Sequence, residues 1–132
     1  MSEPLFKMIP GAPNPVAPFS HVVEADGWLF LTGQMPTYPG ESDRPLDEGV
    51  EAQTRRTIDN LIIVLEGMGL DLSHVVQARV YLTEFDRDYG AMNETYQSYF
   101  PPDRRPARTC IGVSGLAVGA LVEIDMVAKR PS

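Results

Sequence analysis

Arg108 lies in the string Pro-Ala-Arg-Thr-Cys, flanked by small or apolar residues at the start of a segment that reads as a strand. A guanidinium there presents a rigid fork of donors that suits bidentate binding of a carboxylate. The same pattern also fits a cross-strand ion pair with Glu123 or Asp125 of LVEIDMVA. Glu123 in turn fits two roles: a general acid–base or water-orienting carboxylate, or a charge partner for Arg108. Asn93 follows Met92 on the shoulder of an apolar helical stripe, where a half-buried amide must bond either a ligand or a neighbouring loop. Cys110 has the chemistry of a nucleophile, but no His is placed by sequence to activate it, and free Cys commonly packs as a small hydrophobe. His21, inside a hairpin strand, reads as a packed, hydrogen-bonded side chain. Gly33-Gln34 closes a strand, where bare amides can meet an anion or simply end the element.

The composition bounds the function. The chain has 132 residues, enough for one domain spanning residues 1–132. Eleven basic against 18 acidic residues give a net charge of −7, which argues against nucleic acid or an anionic membrane as partner. One Cys excludes an internal disulfide and favours a reducing cytoplasm. Two distant His residues offer no metal site. The N-terminal stretch shows no signal layout, and no apolar run approaches a membrane span. No phosphate-cradling loop or Gly-x-Ser-x-Gly motif is present. Twelve Pro and 11 Gly would suit disorder or a compact fold with sharp connections. Ten of the prolines fall in three groups, Pro10–Pro18, Pro36–Pro45 and Pro101–Pro106, each between periodic segments, so they act as punctuation.

Those periodic segments must position the candidate residues. Phe6–Ile9 suits a short strand. Ser20–Ala25 and Trp28–Gln34 flank Asp26-Gly27, a type I′ hairpin signal that places Ala25 opposite Trp28 and Val23 opposite Phe30, with Phe19 near Gln34. Asp47 to Met68 carries a 3.6-residue apolar stripe, with Asp47 as N-cap. Val75–Leu82 alternates, with Val76, Ala78, Val80 and Leu82 on one face. Asp86 to Phe100 reads as a second helix, capped by Thr83 or Asp86 and ended by Pro101-Pro102. Ala107–Val113 and Leu121–Lys129 read as two strands joined by a Gly-containing turn, with Thr109, Ile111 and Val113 forming an apolar set. A hairpin register in which the paired residue numbers sum to an odd value, such as 108 with 123, would put Arg108 and Glu123 on one face. The order is (ββ)βαβαββ, an α+β fold with a mixed sheet and two helices on one face. The second sheet face, mixing Trp, Cys, Arg, Glu and aliphatic residues, suits a subunit interface.

Six pieces, APFSHVV, LFLTGQMP, QTRRTIDNLIIVLEGMGLDLSHVVQARVYLTEF, MNETYQSYF, PARTCIGVSGL and VEIDMVA, occur in order over residues 10–130. Together they resemble the YjgF/RidA (Rid) family. The resemblance implies a chorismate-mutase-like protomer, a homotrimer with ligand clefts between neighbours, and no metal or cofactor. It implies hydrolysis of reactive enamine/imine intermediates such as 2-aminoacrylate to 2-keto acids and ammonia. By motif, Arg108 becomes the carboxylate clamp and Glu123 the residue that orients water, while Phe19, Gly33, Asn93 and Cys110 line the cleft. Phe19 stands where deaminating relatives often carry Tyr, and His21 replaces a common Gln. The alternatives are a deaminase specific to one catabolic intermediate, and a non-catalytic trimer that binds small 2-keto carboxylates.

Overall fold

The computed structural model describes residues 3–132. Its elements are β1 (Leu5–Lys7), β2 (Val22–Ala25), β3 (Trp28–Gln34), α1 (Val50–Gly67), β4 (Val75–Leu82), α2 (Phe85–Gln97), β5 (Ala107–Gly112) and β6 (Val122–Lys129). They form a six-stranded mixed sheet in the order β1-β2-β3-β6-β4-β5, and all pairs are antiparallel except β4 with β5. α1 packs on β3 and β6, while α2 packs on α1 and β4. Both helices cover one face, as the pattern of residues predicts.

Local chemistry explains the β2–β3 hairpin. Asp26 and Gly27 hold φ of 52° and 82°, the two left-handed residues of a type I′ turn. That turn sets Ala25 opposite Trp28 and Val23 opposite Phe30. On β6 the alternation is strict: Val122, Ile124, Met126 and Ala128 are buried against the helices, with Glu123, Asp125 and Val127 on the other face. The centre of the core is Leu29, Ile58, Leu61, Leu65, Val80 and Ile124, none retaining measurable exposure.

Four expectations are corrected. First, β5 and β6 do not pair. β5 is the parallel neighbour of β4, reached by the β4–α2–β5 crossover, and β6 inserts between β3 and β4. Strand adjacency here is set by the crossover, which a short Gly-containing connection does not reveal. Second, the faces of β5 are reversed. Arg108 and Cys110 lie beside buried Ala78 and Val80 on the helix side, whereas Thr109 and Ile111 are exposed on the open face. Third, a register shift between Val75 and Gln77 turns Val76 outward and Val75 into the core. Fourth, the helix caps differ. Gly49 precedes α1 with φ of 88°, and Glu84 precedes α2, neither with a side-chain cap bond. Asp47 instead accepts the Tyr38 hydroxyl at 2.8 Å, so its carboxylate is already engaged.

Polar tethers fix the loops that border the sheet. Asn60, fully buried on α1, donates to Met35 O at 2.9 Å and Thr37 O at 2.8 Å, which ties the proline-rich exit of β3 to the helix. Gln53 bridges Asp47 O and the Leu121 N–H. His21 lies just before β2 and is buried and hydrogen-bonded, as the sequence suggests. Its Nδ1 accepts the Ile9 N–H at 2.8 Å, so the proton sits on Nε2, which donates to Pro13 O at 2.8 Å. His21→Leu leaves one N–H and one carbonyl unpaired in the interior. It is expected to cost about 1–3 kcal/mol of stability, read from the urea midpoint at unchanged m-value. A midpoint equal to wild type would show that water or a loop shift replaces both bonds.

Candidate functional site

The six candidate residues separate into two groups within one protomer. Asn93, Arg108 and Cys110 form the first. Arg108 projects from β5 toward α2, with its guanidinium carbon 5.0 Å from the Tyr96 ring centre and 6.0 Å from that of Tyr89. Tyr89, Asn93 and Tyr96 fall at i, i+4 and i+7, so one helix face presents two rings and an amide to the same guanidinium. The rings hold the cation by its faces and leave its N–H edge unoccupied. Among the described residues no carboxylate lies within 4.0 Å of it. The ion-pair reading of Arg108 therefore fails. Asp125 belongs to Arg79 at 2.9 Å and to the Tyr81 hydroxyl at 3.0 Å, and Glu123 lies on the other sheet face.

Asn93 and Arg108 line a cavity of about 260 Å³, bounded also by Tyr96, Gln97, Arg105 and Pro106. Two polar atoms here are buried without a partner, Asn93 Oδ1 and the Tyr96 hydroxyl. Asn93 thus makes no loop tie through its carbonyl oxygen. Beside the unpaired guanidinium, the Asn93 oxygen offers an acceptor and the Tyr96 hydroxyl a donor or acceptor to a small polar ligand. Burial pushes the Tyr96 hydroxyl pKa up, and Arg108 pulls it partly back. Cys110 shares Arg108's face and is half-buried. Burial raises its thiol pKa against the pull of Arg108, so it is a poor thiolate.

Phe19, Gly33 and Glu123 form the second group. Gly33 sits in the register shift of β3 between Leu31 and Gln34, next to Glu123 of β6. A Cβ at Gly33 would overlap the Glu123 carboxylate and lie 3.1 Å from its Cγ, so the missing side chain is the space that the carboxylate occupies. Half-buried Phe19 and Gly33 border a small cleft with Pro13, Pro15 and Gln34. Burial pushes the Glu123 carboxyl above its usual pKa range, and the nearby Asp125 charge pushes the same way. Among the described residues no cation lies within 4.0 Å of Glu123.

The two groups do not meet. Three strand spacings separate β3 from β5, roughly 14 Å, and the groups project from opposite sheet faces. The candidates that sequence reasoning missed as site residues are Tyr96, Tyr89 and Arg105. The helical spacing Tyr89, Asn93, Tyr96 was the available signal, and it reads equally well as a packing stripe. Among the described residues no three His, Cys, Asp or Glu side chains converge as a metal site.

A two-helix, six-stranded α+β fold of this strand order defines a class of small proteins, and comparison identifies it. The family model described as Endoribonuclease L-PSP matches residues 10–130. A RutC family protein of Pyrococcus horikoshii is 34% identical, over 90% of this chain and 92% of its own. The 2-iminobutanoate/2-iminopropanoate deaminase of Escherichia coli K12 is 30% identical over 90% of this chain and 92% of its own. The crystal structure of a conserved Rid-family protein, YyfA, from Yersinia pestis superposes with a TM-score of 0.89 at 30% identity, covering 96% of this chain and 99% of that one. The chain belongs to the YjgF/RidA (Rid) family.

Proposed function

We propose that this protein hydrolyses small 2-imino acids, with their enamine tautomers, to 2-keto acids and ammonia in a cleft between copies of the chain. The observation that carries the reading is Arg108. Its guanidinium is aromatically braced, has no carboxylate partner, and lines a cavity with two orphaned polar atoms. The name of the Escherichia coli relative supports the substrate class. In this reading the substrate carboxylate takes the free fork of Arg108, which fixes the imine carbon. Water adds to the C=N carbon, and the proton it loses passes to a carboxylate. The tetrahedral amino alcohol then expels ammonia, its nitrogen protonated, and the C=O bond of the keto acid forms.

Glu123 is the base we assign to that proton. It lies on the opposite face of its own protomer, so the Glu123 acting on a substrate at Arg108 comes from a neighbouring copy. A homotrimer with three such clefts satisfies this, and the exposed Trp28, Phe30 and Ile111 on the open sheet face provide apolar surface for the contact. The family model's description names an endoribonuclease, but a net charge of −7 provides no basic footprint for RNA. Among the described residues no helix is long and apolar enough to cross a membrane. We place the activity in the cytoplasm, where a single reduced cysteine is at home.

The test supplies 2-iminobutanoate from an amino-acid oxidase and follows 2-oxobutyrate. Release should accelerate in proportion to added protein; no acceleration with any small imino acid ends the reading. The pH profile tests Glu123. A base must be deprotonated, so kcat/KM should fall as pH drops through a Glu123 pKa that lies above the ordinary carboxylate value. Glu123→Gln should remove that limb and lower kcat/KM by about 10²-fold. A carboxyl with raised folded-state pKa contributes stability only at low pH and loses it as pH rises through that pKa. The Gln variant should therefore be no less stable than wild type at neutral pH.

A further inference from the structure

We propose that the Arg108 cavity takes substrates carrying a second anionic group, held by Arg105. This rests on the carboxylate role proposed for Arg108 and names the substrate class of that same site. The chain has nine arginines. Six donate hydrogen bonds to protein oxygens, as Arg104 does to Ser73 O and Arg79 to Asp125. Among the described residues the other three, Arg55, Arg105 and Arg108, make no such bond, and two of those three line one cavity. In a chain with 18 carboxylates, leaving two neighbouring guanidinia unpaired runs against the charge balance. Two like charges facing one space repel each other, and an anion bridging them turns that repulsion into attraction.

The positions differ in a useful way. Arg108 is half-buried and braced by tyrosines, whereas Arg105 is exposed in the segment before β5. The inner cation would set the carboxylate beside the reacting carbon, and the outer one would meet a charge further along the substrate. Both arginines belong to the lining of the one cavity, so a single ligand there can meet both. The matching class is the 2-imino dicarboxylates, hydrolysed by the same addition of water and loss of ammonia.

Calorimetry with two stable product-like acids, 2-oxoglutarate and 2-oxobutyrate, tests the assignment. Wild type should bind 2-oxoglutarate about 10-fold more tightly. Arg105→Gln should bring the two affinities within about two-fold, and Arg105→Lys should keep part of the preference. Equal affinities in wild type, or a preference that survives Arg105→Gln, overturns the proposal. Turnover of 2-iminobutanoate alongside equal affinities would overturn only the second-anion role. Binding of neither acid would overturn both this proposal and the carboxylate role of Arg108.

Discussion

Replacing Arg108 with Ala is expected to lower kcat/KM for imine hydrolysis by about 10²–10⁴-fold while leaving the fold intact. Two charge-assisted hydrogen bonds to a substrate carboxylate contribute about 1.5–3 kcal/mol each, and each 1.4 kcal/mol is a factor of ten. The structural cost is small because the guanidinium makes no hydrogen bond or ion pair within the described chain. The variant loses only its contact with the Tyr96 and Tyr89 rings, about 0.5–1 kcal/mol. Arg108→Lys keeps the charge but not the fork, and should recover a minor part of the rate. Keto-acid release at the wild-type rate by Arg108→Ala, in the oxidase-coupled assay, would remove the clamp from the mechanism. The division of the site between faces adds a second test. Arg108→Ala and Glu123→Gln chains, each impaired, should regain activity when unfolded and refolded together, because some clefts would then combine an intact Arg108 with an intact Glu123. Absence of any recovery would place both residues in one protomer's cleft, against the geometry of the sheet.

Gly33→Ala should be nearly as damaging to activity, for a steric reason. Gly33 does not occupy the left-handed region, so its backbone accepts Ala without strain. The conflict is with Glu123, whose carboxylate occupies the place of the new Cβ. The carboxylate must move, and its Cγ, 3.1 Å from that Cβ, must yield as well. Crowding of this kind costs about 1–3 kcal/mol of stability. Displacing the proposed base should cost about 10²-fold in kcat/KM. A double-mutant cycle isolates the cause: in a Glu123→Ala background, where the side chain no longer fills that space, Gly33→Ala should add little to either loss. Wild-type kcat/KM in the single variant would show that Glu123 reaches its working position from elsewhere, or does not act. Equal losses in both backgrounds would assign the Gly33 effect to something other than Glu123.

The residues differ in how much of their role their own neighbourhood discloses. The Asp26-Gly27 turn determines its hairpin register because both left-handed φ values are local properties of those two residues. Helix α1 and the alternation of β6 are equally local, since 3.6- and 2-residue periods appear wherever one face is dry. The three proline groups mark the connections for the same reason: Pro fixes its own φ and donates no N–H. The candidate site residues came through motif strings and not through any periodicity. Arg108 shows where that legibility stops. On an edge strand both faces are partly wet, so the alternation Arg108, Cys110 against Thr109, Ile111 does not say which set faces the helices. Which strand lies beside β5 depends on a crossover that brings together residues distant in sequence, and no short-range preference encodes it. Tertiary structure alone therefore decides that Arg108 is braced by α2 and unpaired, and that Glu123 stands behind Gly33 on the other side of the sheet. The motif strings offer Arg108 and Glu123 as candidates for one chemistry. The fold sets them on opposite faces of the sheet, because both helices cover one face and leave the other open.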